Sequence, residues 1–386
     1  MTPRERMIAT LNHRKPDRVP IQLGCREEIM ERLRAHYGVA TNQRVAEVLQ
    51  ADLSRGVGVG HRFEAFERRV AGQPPERVPP GRRSNVLWLD EATFEDRWSV
   101  RQRIGADGKY VQWLSGPFVE TDDLDAFDWP GEDAFAAPDD LAEQVAEHKA
   151  AGFWVSGSGA VHPFKQAWHM RGFENFLCDY LQRPGWVERI YERLVAYDVR
   201  CCRALAAAGV DMIEFWGDVA MQDRMIVPPD AWRALDKPAW RTIVAETRKV
   251  NPAVRFFFHS DGDVTPIIDD ILEVGFDVLN PLQPECVNPG VIKARWGDRV
   301  TLDGGGSVQR TLPRGTLDDV RREVEFLMTT CAYDGGYVFR ASNVVPFDCP
   351  TENVVAFYEL ARDYDLSKLT GPPEAVPDPP PCMYVR

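Results

Sequence analysis

The feature that most constrains this chain is the rhythm of its second half, where short β-rich apolar runs alternate with stretches of helical period. The runs lie at 211–218, 254–262, 276–283, 299–306 and 336–342, each with an apolar body and a polar or glycine-rich end. Between them, Thr316 precedes a stretch in which Leu317, Val320, Val324, Leu327 and Cys331 share one helical face. Pro229 opens another, carrying Trp232, Leu235 and Trp240. Such alternation specifies parallel βαβ units. Further runs at 18–24, 52–60 and 153–157 bring the strands to eight. The pattern predicts an α/β fold, a single (β/α)8 TIM barrel over residues 1–369.

Residues 62–135 interrupt the rhythm. Alternating stretches at 85–90 and 109–114 around a turn at 106–108 predict a β-hairpin insertion after strand 2, covering one end of the barrel. Beyond Thr370 the chain reads Gly-Pro-Pro-Glu-Ala-Val-Pro-Asp-Pro-Pro-Pro, so 370–386 is expected to be a proline-rich extended C-terminal tail.

Composition narrows the function. With 386 residues, 44% of them hydrophobic, and a net charge of −13, the chain has too much apolar content for disorder and too few clustered bases for a nucleic-acid binder. Its eight cysteines show no CxxC pairing, and Cys201 and Cys202 are adjacent, which argues against a disulfide framework and for a reducing compartment. The first residues carry charges where a signal core would be apolar, and no run of roughly 18 apolar residues occurs. A soluble, cytoplasmic protein with no membrane association is expected.

In parallel α/β folds the functional groups gather at the carboxyl ends of the strands. The ends here offer Glu214 and Asp218, His259 and Asp261, Asn280 and Gln283, Asp303 before three glycines, and Arg340 with Asn343. The sharpest signal is His259-x-Asp261, which ends a run of three phenylalanines. At a fraying strand end this spacing aims both side chains into one cavity, as ligands of a divalent metal or as an acid/base pair. The alternative is a turn-held histidine with Asp261 as a helix cap. Glu214 lies inside an apolar strand and needs a partner: a metal, the substrate or an ion pair. Arg340 suits either an anionic substrate or an ion pair with Asp303 or Glu214. Gly304 to Gly306 reads as an anion cradle or a tight loop. His162 reads as a rim residue or a helix cap. Trp154, Trp168, Trp216 and Phe258 suit an aromatic ether or a methylated amine, or core packing.

The opening segment 2–20 (TPRERMIATLNHRKPDRVP), His259-Ser-Asp-Gly262, Gly275-Phe-Asp-Val-Leu-Asn-Pro-Leu-Gln283, Trp296-Gly-Asp-Arg299, Gly305-Gly-Ser-Val-Gln309 with Leu312-Pro313, Gly335-Gly-Tyr-Val338 and Pro350-Thr-Glu-Asn353 are then informative together. On these segments the chain resembles the uroporphyrinogen decarboxylase-like superfamily, nearly throughout to about Asp363 and most weakly across 62–135. The resemblance implies a (β/α)8 barrel and one of two chemistries. One is cofactor-free decarboxylation of the acetate side chains of uroporphyrinogen; the other is methyl transfer involving corrinoid proteins and a thiol or folate acceptor. The chain departs from both patterns. Where the decarboxylases carry an Arg-rich segment it has Gly24-Cys25-Arg26, their Tyr matches Trp168, and their late Gly-His-Gly matches Ser342-Asn343-Val344. Where the zinc methyltransferases use His-x-Cys and a later Cys, it has His259-Ser-Asp261 and Asn343. Oxygen donors in place of both thiolates would leave a bound metal more Lewis acidic, and a metal-free site is the alternative.

Uroporphyrinogen presents eight carboxylates, whereas the strand ends offer more acids than bases, which tells against it. The expected function is a methyltransferase moving a methyl group from a small methoxy or methylamine substrate to or from a corrinoid protein or tetrahydrofolate. The alternatives are decarboxylation of a small organic acid or of uroporphyrinogen, and a non-catalytic ligand-binding barrel. Catalytic roles fall to His259, Asp261, Glu214 and Asn343. Substrate contacts fall to Arg26, Trp168, Trp216, Asn280, Gln283, Asp303 and Arg340. A divalent metal, zinc first, would sit on His259, Asp261 and Glu214, with no covalently bound cofactor. No Asp-x-His-x-x-Gly cobalamin sequence is present, so a corrinoid would arrive on a partner protein. A homodimer is the other partnership considered.

Overall fold

Strands buried on both faces read as near-continuous apolar runs, and seven of those runs form the central sheet. The computed structural model describes residues 1–79, 82–106, 108, 110–131 and 134–383. Its sheet contains β1 (Ser54–Gly58), β2 (Trp154–Ser158), β3 (Met212–Trp216), β4 (Arg255–His259), β5 (Val278–Leu282), β6 (Thr301–Gly304) and β7 (Tyr337–Val338). They are hydrogen-bonded in chain order, every pair parallel. The fold is α/β, with a parallel sheet that curls as in a TIM-like barrel.

The first expected strand is present as a bridging segment without a regular ladder. The Gln22 N–H donates to Phe339 O and the Asp52 N–H to Ile21 O, so 20–25 touches both edges of the sheet. A full ladder is prevented locally because Pro20 has no N–H and the Ile21 N–H donates to the Asp52 carboxylate at 2.9 Å instead.

Alternation along the strands separates two layers. Phe256 and Phe258 join the outer core beneath the helices, whereas Phe257 packs inward with Trp154, Met212, Val278 and Val338. Met7 and Leu11 of the helix Pro3–Leu11 close that inner cluster from the amino ends of the strands. The sheet interior is therefore largely apolar at its base, although Thr301 stands opposite Val278 and Glu214 opposite Phe257.

Two helices show the capping read from the sequence. Thr316 and Asp319 form a capping box on Leu317–Cys331, although Leu317 itself is exposed, and Pro229 begins Pro229–Arg248. Residues 62–134 leave and rejoin the sheet region where Gly60–His61 pairs with Phe135–Ala136. Inside this excursion the strands Leu87–Trp88, Thr93–Glu95, Arg101–Ile104 and Val111–Ser115 form a four-stranded antiparallel meander. The stretch at 85–90 thus pairs with 93–95 and not with 109–114, because the turn at Asp90 closes first; Asp90 accepts the N–H groups of Ala92 and Thr93. Asp107 and Lys109 of the expected turn lie outside the described residues. Among the described residues no helix is long and apolar enough to cross a membrane.

Candidate active site

The inward face of β4 ends in His259, one layer above Phe257, and its register fixes the neighbours. His259 lies opposite Trp216 of β3 and Asn280 of β5. Its Nδ1 is 2.6 Å from Asn280 Oδ1, and Asn280 Nδ2 donates to Asp303 Oδ1 at 2.6 Å. Since the amide must turn its nitrogen toward the carboxylate, its oxygen accepts from His259, which places the ring proton on Nδ1. The other ring nitrogen, Nε2, faces Asp218, whose Oδ1 is 3.5 Å away. The chain of contacts continues on the other side, where Arg340 Nε lies 3.6 Å from Asp303 Oδ1.

Three ligand atoms, one each from Asp218, His259 and Asp261, lie within 4.8 Å of one another. The loops fix them: the Asp261 N–H donates to Asp218 Oδ1 at 2.9 Å, and Asn343 Nδ2 donates to Asp261 Oδ2 at 2.8 Å. Burial holds the Asp261 carboxyl above its ordinary range, against the pull of His259. Burial also raises Asp303 to about 6, with Arg340 and Asn280 opposing. A cavity of about 430 Å³ opens beside the cluster, lined in part by Arg26, Tyr110, Asp261, Gln283, Ser342 and Asn343.

The expected residues divide accordingly. His259, Asp261 and Asn343 come together, and Asn280 and Asp303 stand behind His259. Gln283 and Arg26 line the cavity; Gln283 accepts the Gly262 N–H at 2.9 Å, and the Arg26 guanidinium lies 5.5 Å from the Tyr110 ring. Trp216 covers His259 with its ring at 4.7 Å. Glu214 is not in the cluster, because it lies opposite Phe257, one strand level deeper, where its Oε2 accepts from the Trp216 indole at 3.1 Å. Arg340 takes the ion-pair alternative with Asp303. Trp168 packs on His169 and Phe173, away from the His259 contacts.

His162 is buried rather than at the rim. Its ring meets Trp240 at 4.8 Å and Phe258 at 5.9 Å, a Cβ on Gly217 would fall 2.6 Å from it, and burial drops its pKa to about 3. Gly304 and Gly305 have φ near +110°, so these glycines serve the turn of the loop. Two groups were missed by the sequence reading. Asp218 was legible as a strand-end acid but not as the partner of His259. Lys165, on the helix Pro163–Arg171, carries a charge that reaches Asp261 and makes no ion pair among the described residues; its sequence neighbourhood gives no signal of this.

The family profile described as Uroporphyrinogen decarboxylase (URO-D) matches residues 140–364, more than half of the chain and every element of the His259 cluster. The chain belongs to the uroporphyrinogen decarboxylase family. Among solved structures it is similar to a methyltransferase from Methanosarcina mazei, with 20% identity over 94% of this chain and 98% of that one and a TM-score of 0.60, a likeness of fold. A B12-independent methionine synthase from a Shewanella species (11% identity, 59% and 68% coverage, TM-score 0.37) and an L-ribulose 3-epimerase (13%, 60% and 74%, TM-score 0.34) are more distant and carry no argument. No curated protein matches the sequence significantly.

Proposed function

We propose that this family member is a methyltransferase that removes the methyl group of a small methoxy or methylamine compound, with a corrinoid protein or tetrahydrofolate as the other reactant. The fold is read in full as a (β/α)8 barrel with its active site at the carboxyl ends of the strands. The observation that carries the reading is the meeting of His259 Nε2 with the Asp218 and Asp261 carboxylates beside an accessible cavity. A purely ligand-binding barrel, with its strand-end polar groups paired off and no cavity, does not describe this arrangement. The base supply also disfavours uroporphyrinogen: Arg340 is engaged by Asp303, leaving Arg26 as the arginine that lines the cavity.

The donor set fits a divalent cation. One imidazole nitrogen with its proton fixed on the far side and two carboxylates match a metal that accepts nitrogen and oxygen ligands, whereas a zinc–thiolate centre does not fit because no cysteine joins the cluster. Bound there, such an ion would supply Lewis acidity toward the methylated heteroatom. The chain's own groups do the rest. In the metal-free alternative, Asp261, held toward its protonated form by burial, would offer a proton to the oxygen or nitrogen that loses its methyl group, and in either case Asn343 orients that carboxyl. Trp216 shields the His259 ring from water.

The test is a panel of methoxy aromatics and methylamines incubated with the purified protein and either cob(I)alamin or tetrahydrofolate, scored by the demethylated product. Turnover that disappears in His259→Ala supports the reading. Release of CO2 from an organic acid, or formation of coproporphyrinogen, would replace it with the decarboxylase.

A further inference from the structure

A second cavity, of about 560 Å³, adjoins the first and shares Tyr110, Val308, Gln309 and Pro346 with it. Both linings mix acids and bases: Arg26 and Asp261 line the inner one, which borders Asp218, whereas the outer one has two arginines, Arg310 and Arg314, with Glu285 and Asp348. Among the described residues neither arginine forms an ion pair, and the Arg314 side chain has no hydrogen bond. Of the acids in the outer cavity, Glu285 accepts from Ser307 Oγ at 2.5 Å and is held above its ordinary range by burial, with Arg310 among the groups opposing, and Asp348 is exposed.

Arg310 is held in an unexpected way. Its Nε donates to Cys382 O at 3.2 Å and its Nη2 to Pro381 O at 3.4 Å, both in the C-terminal arm. The arm is anchored on either side of this contact. Met383 is fully buried in the main core, and Val376 packs so closely on Gly290 that a Cβ there would come within 2.8 Å. Carbonyl oxygens fix the direction of the guanidinium without cancelling its charge, which is what a binding arginine requires.

We propose that the outer cavity is a subsite for an anionic group, a carboxylate, sulfonate or phosphate, carried by a reactant whose methyl-transferring end lies in the inner cavity, and that the C-terminal arm builds this subsite by holding Arg310. The proposal rests on the reading of the His259 end as the reacting end, so its test uses binding without turnover and fails separately from that reading. The full-length protein is titrated calorimetrically with methanesulfonate, acetate and inorganic phosphate. Saturable binding of at least one is expected, weakened about tenfold in Arg314→Gln, which loses a charge but no partner, and similarly in Arg310→Gln. Met383→Asp should free the arm to proteolysis and lower anion affinity to the Arg310→Gln level. If that variant does not fold, the two arginine variants decide. Absence of saturable binding, or affinity unchanged from the parent in both arginine variants, overturns the subsite; an arm released with affinity intact overturns its role. In turnover assays, a KM raised in Arg314→Gln for the methylated compound assigns the anion to the substrate, and one raised for tetrahydrofolate assigns it to the acceptor.

Discussion

At the amino ends of the strands, Asp52, Asp211 and Asp277 follow one plan: each carboxylate accepts a backbone N–H from the neighbouring segment and meets two basic side chains. Asp52 takes the Ile21 N–H with Arg6 and Arg18; Asp211 takes the Val155 N–H with Arg4 and Lys149; Asp277 takes the Phe256 N–H with Arg248 and Arg255. At the carboxyl ends the plan is reversed. Asp218 and Asp261 share a histidine with each other, while Lys165 and Arg314 stand without ion pairs among the described residues. One end spends its charges on joining neighbouring segments; at the other, apart from the Arg340–Asp303 pair, the proposed function leaves them to a ligand.

The largest test of that contrast sets one residue from each end side by side. Asp52→Ala strands the buried Arg6 guanidinium and should destabilise the fold by about 3–5 kcal/mol in urea titration. His259→Ala should cost less than about 1 kcal/mol of stability yet lower turnover at least about 100-fold. Comparable stability losses in the two variants would erase the distinction between the ends.

A middle-sized effect is expected one step behind the cluster. Asn280→Leu removes the group that fixes the His259 proton on Nδ1, so activity and apparent affinity for added Zn²⁺ or Mn²⁺ should each fall about 10- to 100-fold. Made in the His259→Ala background, the same change should cost no further activity. An additive loss would mean that Asn280 acts on something other than His259.

The contrast between the ends also shows what a sequence discloses. Parallel strands buried on both faces announce themselves as apolar runs, so 211–218 through 336–342 were legible, and His259-x-Asp261 was legible because a polar pair ends such a run abruptly. Depth along a strand is not written in this way. Glu214 and Asp218 are equally acidic and four residues apart, and only the register that sets Glu214 against Phe257 separates the interior acid from the rim acid. Arg340 posed a similar choice that pairing with Asp303 decides. The buried Met383 and the arm carbonyls on Arg310 arise from long-range packing of a proline-rich stretch whose composition suggested only extension.

The smallest expected effect concerns Asp303, the one acid of the Arg340–Asp303–Asn280–His259 relay. Burial lifts it from the ordinary 3.8 to about 6 even though Arg340 and Asn280 pull it down, so the folded state holds its proton more tightly than the unfolded chain does. Its contribution to stability is therefore complete below about pH 4 and is lost as the pH rises through about 6. Between pH 5 and 7 the loss should be about 1 kcal/mol, and Asp303→Asn, which keeps an acceptor for Asn280 but cannot ionise, should flatten that part of the stability curve relative to the parent. At pH 5 the parent's Asp303 is itself largely protonated, so Asp303→Asn should stand close to the parent there and the two curves should part as the pH rises. A parent curve as flat from pH 5 to 7 as that of Asp303→Asn would mean that Asp303 is ionised with ease in the fold. It would then belong with the fully paired carboxylates at the other end of the sheet.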